Sequence, residues 1–411
     1  MDFSQLPQPS ERNIAIHVTA AAERSLRGGH PWLYDNSIRE QSKDGQAGDI
    51  GVIFDKKRHF LAVGLYDPDS PIRVKILQHK TSASIGHDFF RTRLQAAAQI
   101  RAHLPDDGTT GYRFVHGEND TLPSLVIDRY GAVLVVKLYS AAWFAHLREL
   151  LSALDDIHPA KTIVLRLSRA VQDGETFGLS DGMVIRGKLS ESKVAFTENK
   201  LRFVADVIRG HKTGFFFDQR ENRQRAMTLS ATKNVLDVFS YNGGFSLYAA
   251  AGGAKSVLSV DISQPALRDA RQLFELNANH TNIANCQHET MAADAFEALR
   301  QLASQRRKFG LVVVDPPSFA NKASQIEDAL RAYRKLTALA LPLVEKGGTL
   351  VMASCSSRIA PDDFFATVHH TAQRHHYRLH EIERTSHAID HPLRESFPEG
   401  RYLKCLFATV D

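Results

Sequence analysis

The prediction of the fold rests on the segment from Asn234 to Ser263, which begins Asn-Val-Leu-Asp-Val-Phe-Ser-Tyr-Asn-Gly-Gly-Phe-Ser-Leu-Tyr. Its first apolar run contains Asp237 and is followed by the turn Gly243-Gly244, and a second apolar run ends at Asp261. Two short apolar strands joined by a glycine turn and a helical segment are typical of the β-turn-α-β unit of a nucleotide-binding parallel sheet.

The glycine turn indicates what this unit binds. Glycines let a turn backbone approach a ligand closely, because a Cβ there would collide with it. Asp261 follows Gly244 by 17 residues, close to where a carboxylate at the tip of the second strand accepts hydrogen bonds from ribose hydroxyls. We therefore expect a ligand that contains a ribose.

The residues around the turn favour a cationic ligand over a dinucleotide. A pyrophosphate-binding turn normally reads Gly-x-Gly-x-x-Gly, whereas here Phe239, Ser240 and Tyr241 precede a single glycine pair. Asp237 would repel a pyrophosphate and attract a cation. S-adenosylmethionine, with its sulfonium and ammonium groups, fits this pattern. A tight strand-helix turn that binds no ligand is the alternative, since glycine turns are common.

The composition is that of a globular protein without export or membrane signals. The chain has 411 residues, 43% of them hydrophobic and 24% charged, and a net charge of +5 that permits a nucleic-acid partner. Its three cysteines form no Cys-x-x-Cys pair, which fits a reducing cytosol. No apolar run approaches the ~18 residues of a membrane span. We expect a cytoplasmic protein of two or three domains with no membrane partner.

The histidines raise the question of a metal site, because the chain has 19 of them. His369, His370, His375 and His376 fall on one predicted helix, but no His-Glu-x-x-His or mixed Cys/His spacing is present. A solvated helix face explains the cluster, and we expect no metal.

The first third of the chain predicts a small β-barrel. Residues 1–13 are polar and predict a loose tail, and residues 14–84 contain short strand-like runs broken by turns. Basic residues in this part are candidates for phosphate contacts, although exposed basic turns are usually only solvated. These candidates are Arg24, Arg27, Lys56, Lys57 and Arg58.

The remainder predicts two further domains. Residues 85–192 alternate helical and strand-like runs and predict a middle α+β domain. From 193 to 411, after a hairpin, strands alternate with helices, including a strand near 283–288 and a closing strand from Tyr402. This predicts an α/β domain with a doubly wound parallel sheet, in which ligands bind beyond the carboxyl ends of the strands.

The loop before the glycine turn has two interpretations. Phe215, Phe216 and Phe217 are consecutive and lie near Lys212 and Asp218. They predict either a loop that closes over a ligand or a loop anchored in the core by its aromatic rings.

Two other strand ends carry candidate catalytic residues. Asp315 ends an apolar run and is followed by two prolines, which fix the backbone and so place the acid rigidly. Cys355 follows the next strand at the same predicted edge, which favours a nucleophile over a small buried hydrophobe. Cys286 and Cys405 lack such a setting, and we expect structural roles for both.

Four motifs together resemble a known family. The segments that begin Asp237-Val-Phe-Ser-Tyr-Asn-Gly-Gly, His211-Lys-Thr-Gly-Phe, Asp315-Pro-Pro-Ser-Phe and Ser354-Cys-Ser-Ser are similar to those of the class I S-adenosylmethionine-dependent methyltransferases that modify large-subunit ribosomal RNA at cytosine carbon 5. Gly29-His-Pro-Trp resembles the start of the RNA-binding PUA domain of that family. The resemblance extends from about residue 14 to the C-terminus.

The resemblance implies roles for individual residues. Cys355 would be the nucleophile, Asp315 would hold the base, Asp261 would bind the ribose and Asp294 would face the adenine. The implied cofactor-binding residues are Lys212, Asp218, Phe239, Ser240, Asn242, Gly243, Asp261, Ser263, Asp294 and Asp315. The implied partner is large-subunit ribosomal RNA, which would receive 5-methylcytosine.

Thiolate chemistry agrees with this implication. Carbon 5 of cytosine is a weak nucleophile, and addition of a thiolate to carbon 6 makes it enamine-like. One departure is Ser318, which stands where several RNA cytosine methyltransferases carry a second cysteine that helps the product leave. The alternatives are methylation of an exocyclic amine or of a guanine, and a non-catalytic RNA-binding assembly factor. The sequence leaves the target nucleotide open, as well as the oligomeric state, for which a homodimer is one expectation.

Overall fold

The computed structural model describes residues 4–320 and 322–411, which form two compact units. The first unit consists of the chain up to Lys200 together with 204–217 and 389–400, and the second consists of 201–203, 218–388 and 401–411. The first three residues of the predicted tail lie outside the described residues. The rest of that tail makes contacts, since Leu6 is buried in the core of the first unit. The predicted domain boundaries stay predictions.

The N-terminal part of the first unit is a six-stranded sheet with one helix. Its elements are β1 (Ile14–Val18), α1 (Ala20–Arg27), β2 (Trp32–Tyr34), β3 (Ile38–Gln41), β4 (Ile50–Phe54), β5 (Phe60–Tyr66) and β6 (Ile72–His79). The strand order is β2-β6-β5-β4-β1-β3, with β1 and β4 parallel. Register shifts interrupt four strand pairs, and such bulges bend a sheet.

Helix α1 was absent from the sequence prediction, which placed only strands in this region. Thr19 caps the helix, because its hydroxyl accepts a hydrogen bond from the Ala22 backbone N–H at 3.3 Å. Thr19, followed by three alanines and Glu23, is a sequence signal for the N-terminus of a helix.

The middle part of the first unit contains both helices and strands, as predicted. Its elements are α2 (His87–Ile100), β7 (Gly111–His116), β8 (Leu125–Tyr130), β9 (Val133–Leu138), α3 (Leu147–Ile157), β10 (Thr162–Leu167), α4 (Arg169–Gln172), β11 (Met183–Arg186), β12 (Lys193–Glu198) and the second half of β13 (Leu201–Asp206), whose first three residues are assigned to the second unit. The sheet has the order β11-β10-β9-β8-β7, and β12 pairs with β13.

A late segment of the chain, residues 389–400, completes this unit. The Asp390 carboxylate accepts a hydrogen bond from the Arg113 backbone N–H at 2.8 Å, and the Arg101 guanidinium donates to the Asp390 carbonyl at 2.7 Å. The rings of Trp32 and Phe397 pack edge to face with centroids 4.8 Å apart. Residues separated by 277 to 365 positions are thus in contact.

The second unit is organised around a seven-stranded sheet. Its elements are α5 (Arg220–Thr228), β14 (Asn234–Val238), α6 (Gly244–Ala251), β15 (Ser256–Asp261), α7 (Gln264–Leu276), α8 (Thr281–Asn285), β16 (Gln287–Ala292), α9 (Ala295–Ser304), β17 (Phe309–Val314), α10 (Ile326–Ala340), β18 (Val344–Ser354), α11 (Pro361–Arg374), β19 (Leu379–Thr385) and β20 (Lys404–Val410).

The strand order β16-β15-β14-β17-β18-β20-β19 confirms the predicted doubly wound, Rossmann-like sheet. The first five strands are parallel, and β20 runs antiparallel to both β18 and β19. The strand predicted near 283–288 was misplaced: Thr281–Asn285 is a short helix with Ile283 buried, and the strand begins at Gln287. Strand β19 was missed, since its charged residues Glu381, Glu383 and Arg384 conceal any apolar alternation.

Within residues 4–320 and 322–411, no helix combines the length and apolar character that crossing a bilayer requires.

Candidate active site

The carboxyl ends of four parallel strands of the second unit meet at one edge of the sheet. Val238 of β14 lies opposite Val260 of β15 and Val314 of β17, and Val314 lies opposite Met352 of β18. The residues that follow these positions therefore share one edge. Asp261, Asp315 and Cys355 are brought together there, as the sequence predicted.

The turn after β14 has an unusual backbone. Phe239, Tyr241 and Gly243 have positive φ angles of 63°, 50° and 80°, a conformation that non-glycine residues seldom adopt. Asp261 stabilises it: one carboxylate oxygen accepts the Tyr241 N–H and the other the Ser263 N–H, both at 2.8 Å. Asp261 thus organises the turn in addition to its predicted role toward a ribose.

The two glycines of the turn have a packing reason. A Cβ at Gly243 would lie 2.9 Å from the Ala270 Cβ, and one at Gly244 would lie 3.1 Å from the Arg223 Cδ. The crowding therefore involves α7 and α5 of the protein itself. Gly243, with its positive φ, therefore has to lack a side chain, whereas a Cβ at Gly244 would require a small shift of the Arg223 side chain.

Two buried polar atoms beside the turn lack hydrogen-bond partners within the described part of the chain: Asp237 Oδ1 and Ser240 Oγ. The other oxygen of Asp237 accepts hydrogen bonds from the Ser246 N–H at 3.0 Å and hydroxyl at 2.7 Å. Burial raises the pKa of Asp237 to about 7, and the charge of Asp261 adds to the effect. Buried polar atoms are rarely left unsatisfied, so these two atoms fit a polar, cationic ligand such as S-adenosylmethionine.

Asp315 follows β17 at the same edge. Its backbone N–H donates to the Val238 carbonyl at 3.3 Å, which joins the ends of β17 and β14. Burial raises its pKa to about 7, and the nearby charges of Asp218 and Asp237 raise it further. A carboxyl group with such a pKa can be protonated near neutral pH and then donate a hydrogen bond.

Cys355 is half-buried beside the corner that follows Asp315. Its thiol Sγ lies 3.7 Å from the Pro316 carbonyl oxygen. The Ser356 hydroxyl accepts hydrogen bonds from the Ser318 hydroxyl at 3.2 Å and the Phe319 N–H at 3.1 Å. These bonds join the acid corner to the thiol corner, and the one from the Phe319 backbone does not depend on the Ser318 side chain.

Lys404 is a neighbour of the thiol that the sequence prediction missed. It is buried on β20 opposite Ser354, and its Nζ donates to the Ser356 carbonyl at 2.6 Å and the Tyr402 carbonyl at 2.9 Å. Burial lowers its pKa to about 8, while interaction with the charge of Cys355 opposes that shift. The available signal was a lysine within an otherwise apolar strand.

Burial dominates the setting of the other two cysteines. Burial raises the pKa of Cys286 to about 11, and burial within β20 raises the pKa of Cys405 well above its usual value. High thiol pKa values disfavour the reactive thiolate. This supports the predicted structural roles of both residues.

The remaining predicted cofactor residues have diverse settings. Ser263 caps α7 by accepting from the Ala266 N–H at 3.3 Å, and Asn242 is buried. Asp294 is exposed and caps α9, where Oδ1 accepts from the Phe296 and Glu297 N–H groups at 2.9 and 3.2 Å. In the second unit, Asp218 accepts a hydrogen bond from the Tyr402 hydroxyl at 2.7 Å.

The aromatic loop has a structural function in the first unit. Phe215 and Phe217 are buried, and each ring packs against Phe196 with centroids 5.1 and 5.6 Å apart. Phe216 is half-buried, and the Lys212 Nζ lies 4.4 Å from its ring centroid. Two of the three phenylalanines therefore anchor the loop in the core.

The predicted phosphate-contacting residues of the first unit lie on two neighbouring elements. Arg27, in the last turn of α1, pairs with Asp55 of the β4–β5 turn at 2.8 Å and with Glu23 at 3.0 Å. The Asp55 carboxylate also accepts the Lys57 N–H at 2.8 Å. All five residues of the set are exposed, Arg27 included. The charge of Arg27 is thus partly offset by carboxylates.

Comparisons with known proteins identify the family of the chain. The model of the S-adenosylmethionine-dependent methyltransferase family matches residues 112–400, and that of the PUA-like domain matches residues 16–79. A Deinococcus radiodurans protein named ribosomal RNA large subunit methyltransferase is 43% identical over 98% of this chain and 99% of its own. A Photobacterium profundum protein named ribosomal RNA large subunit methyltransferase I is 38% identical over 95% of this chain and 98% of its own.

Solved structures share the fold. A methyltransferase complexed with SAH has a TM-score of 0.81 at 21% identity, over 96% of this chain and 99% of that one. A second, from Streptococcus mutans, has a TM-score of 0.79 at 20% identity and the same coverage. These matches show that the chain belongs to the S-adenosylmethionine-dependent methyltransferases and carries an N-terminal PUA-like domain.

Proposed function

We propose that the protein methylates carbon 5 of a cytosine in large-subunit ribosomal RNA, with Cys355 as nucleophile and Asp315 as the group that holds the base. One observation carries the proposal: Cys355 lies against the Pro316 carbonyl at 3.7 Å, so the thiol and the acid corner share the edge that also holds the cofactor-type turn. The relatives named for large-subunit ribosomal RNA support this substrate.

The residues of the turn would hold the cofactor. The unpartnered Asp237 and Ser240 oxygens suit its cationic part, while Asp261 would accept from its ribose and Asp294 would face its adenine. Bound S-adenosylmethionine supplies an electrophilic methyl group. Phe239, Asn242, Gly243 and Ser263 would line the same site, and Lys212 and Asp218 would act in the loop that precedes it.

The proposed reaction begins with the thiolate of Cys355. It forms a bond to carbon 6 of cytosine, and the electron pair of the 5,6 double bond shifts toward carbon 5 and the ring. Protonated Asp315 would donate a hydrogen bond to the ring nitrogen and stabilise the charge that develops there. Carbon 5 then takes the methyl group. Loss of the carbon 5 proton to a base restores the double bond and expels the thiolate.

The target base has to leave its stack to reach the thiol. Unstacking costs a few kcal/mol in a duplex and less in a loop. We therefore expect a target in a weakly paired segment of the RNA.

A trapped adduct tests the proposal. RNA with 5-fluorocytosine at the target has no carbon 5 proton to lose, so the Cys355–RNA bond should persist after denaturation. The Cys355→Ala variant should form no adduct and lose at least about 10³-fold in turnover, yet bind the cofactor with unchanged affinity. Ser318→Ala is the matched control at the neighbouring corner and should retain most of the activity.

Other outcomes select other functions. Near-wild-type methylation by Cys355→Ala, or a methyl group on an exocyclic nitrogen or on guanine, would contradict the carbon 5 mechanism. Cofactor binding without methylation of any RNA would indicate an assembly factor.

A further inference from the structure

We propose a phosphate-binding cleft for the RNA backbone in the first unit, formed by Lys80, Arg93 and Arg394 around His79. The inference rests on the proposed RNA substrate and deepens it. None of these residues belongs to the basic set predicted from the sequence. They come from the end of β6, from α2 and from the late segment 389–400.

The cleft has a volume of about 380 Å³, at the lower end of the range of ligand pockets. Its cationic lining residues are Arg27, Lys80, Arg93 and Arg394, and no lining residue, all of them within the described chain, is acidic. Lys80 and Arg394 have no side-chain hydrogen bond or ion pair to the described residues, whereas Arg27 is paired with Glu23 and Asp55. Two guanidinium groups and an ammonium that line one cavity without a carboxylate create a positive potential that favours a bound anion.

The cations are held in place by the fold. The Arg93 guanidinium donates to the Leu77 carbonyl at 3.4 Å and to the Gln78 side chain, and lies 5.0 Å from the Phe89 ring centroid. The Arg394 backbone N–H donates to the Asn119 side chain at 3.0 Å. Their guanidinium groups are close enough for the charge of Arg394 to lower the pKa of Arg93, in addition to the effect of burial.

His79 provides a neutral polar group in the same wall. Burial, with the charge of Arg394 second, lowers its pKa to about 4, so the ring is uncharged at pH 7. Its Nδ1 is buried and has no hydrogen-bond partner among the described residues. A phosphodiester could satisfy it through a ribose hydroxyl or a bound water.

The lining also includes Ile76, Leu77 and the backbone at Gly28 and Gly29. Such a mixture suits a phosphate together with its sugar better than an isolated oxyanion. Phosphate contacts give affinity without sequence readout, which is the role we assign to this cleft.

The test is RNA binding without cofactor, by fluorescence anisotropy with labelled large-subunit ribosomal RNA over a range of salt concentrations. The double variant Lys80→Gln/Arg394→Gln removes two unpaired cations. Each lost phosphate contact should reduce the slope of log affinity against log salt by about 0.7 to 0.9. Arg394→Gln alone should weaken binding roughly 3- to 10-fold at about 0.15 M salt.

Arg169→Gln is the matched control, since Arg169 is exposed on α4 and does not line the cleft. It should leave both affinity and slope unchanged, and all variants should unfold at the wild-type temperature. Inorganic phosphate should displace RNA from the wild type more than chloride does at equal ionic strength, and this difference should vanish in the double variant.

An unchanged salt slope in the double variant would overturn the inference. If phosphate still bound preferentially to the wild type in that case, the cleft would be a site for a free anion and not for RNA. Failure of the wild type itself to bind ribosomal RNA would instead contradict the proposed function. If the wild type binds ribosomal RNA and the double variant has the same salt slope, only the cleft is contradicted and the proposed function is not.

Discussion

The sheet edge of the second unit and the cleft of the first unit handle charge in opposite ways. At the edge, Asp237 and Asp315 are crowded together, and burial raises the pKa of each to about 7. In the cleft, the cations Lys80 and Arg394 have no carboxylate beside them among the lining residues. Carboxyl groups can take up protons near neutral pH, whereas an arginine cannot lose one. The edge thus suits a cation and proton chemistry, and the cleft suits a permanent anion.

The largest effect is expected from Asp315→Asn. Turnover should fall roughly 10²- to 10⁴-fold, because the amide lacks the acidic proton offered to the ring nitrogen. The ratio of wild-type to variant kcat/KM should fall as pH rises through about 7, the pKa of Asp315, because the rising limb set by the thiol is common to both proteins. A pH–rate measurement with wild type and variant checks this. A ratio that is flat between pH 6 and 8 would contradict an acidic role.

Although Asp315→Asn should lower turnover, it should make the protein more stable than the wild type as pH rises. The pKa of Asp315 is raised from 3.8 to about 7 in the fold, so the unfolded state binds fewer protons between these values and wild-type stability falls as pH rises through them. Asp315→Asn removes this loss. Between pH 4 and pH 8, its free energy of unfolding should therefore rise by roughly 1–3 kcal/mol relative to that of the wild type. Calorimetry at four pH values measures it, with the exposed Asp363→Asn as control.

A smaller effect is expected from Lys404→Met, which removes the buried cation beside Cys355. Without it the pKa of the thiol should rise, so turnover at pH 7 should fall by up to about tenfold and the rising limb of the pH–rate profile should move to higher pH. Lys233→Met is the control, because Lys233 is another lysine whose pKa is lowered by burial. A lower rate with an unshifted profile would assign Lys404 a purely structural role.

The smallest effect is expected from Arg27→Gln, which compares a cation paired with carboxylates with the unpaired Arg394 of the same cleft. Arg27 is paired with Glu23 and Asp55, so its removal should weaken RNA binding by no more than about twofold, less than the loss for Arg394→Gln. The same anisotropy titration measures both variants. An Arg27→Gln loss equal to that of Arg394→Gln would show that the carboxylates do not reduce its contribution.

Local sequence patterns predicted most of the second unit. A few neighbouring residues are enough to predict the short apolar strands, the glycine pair and the Ser263 cap, because strand alternation, turn conformation and capping are local properties. Parallel strands then bring their carboxyl ends to one edge, which is why Asp261, Asp315 and Cys355 could be placed together in advance. Where the pattern was short or charged, as in α8 and β19, the prediction was wrong or incomplete.

The amino-acid sequence alone predicts the doubly wound sheet, the cofactor turn and the acid and thiol at its edge. The surroundings of these residues follow only from the tertiary structure: the raised pKa values of Asp237 and Asp315, the buried Lys404 beside Cys355, and the inclusion of residues 389–400 in the first unit. Burial and long-range charge pairing depend on which distant segments meet. No local pattern in the chain records that Arg394 lines the same cleft as Lys80 and Arg93.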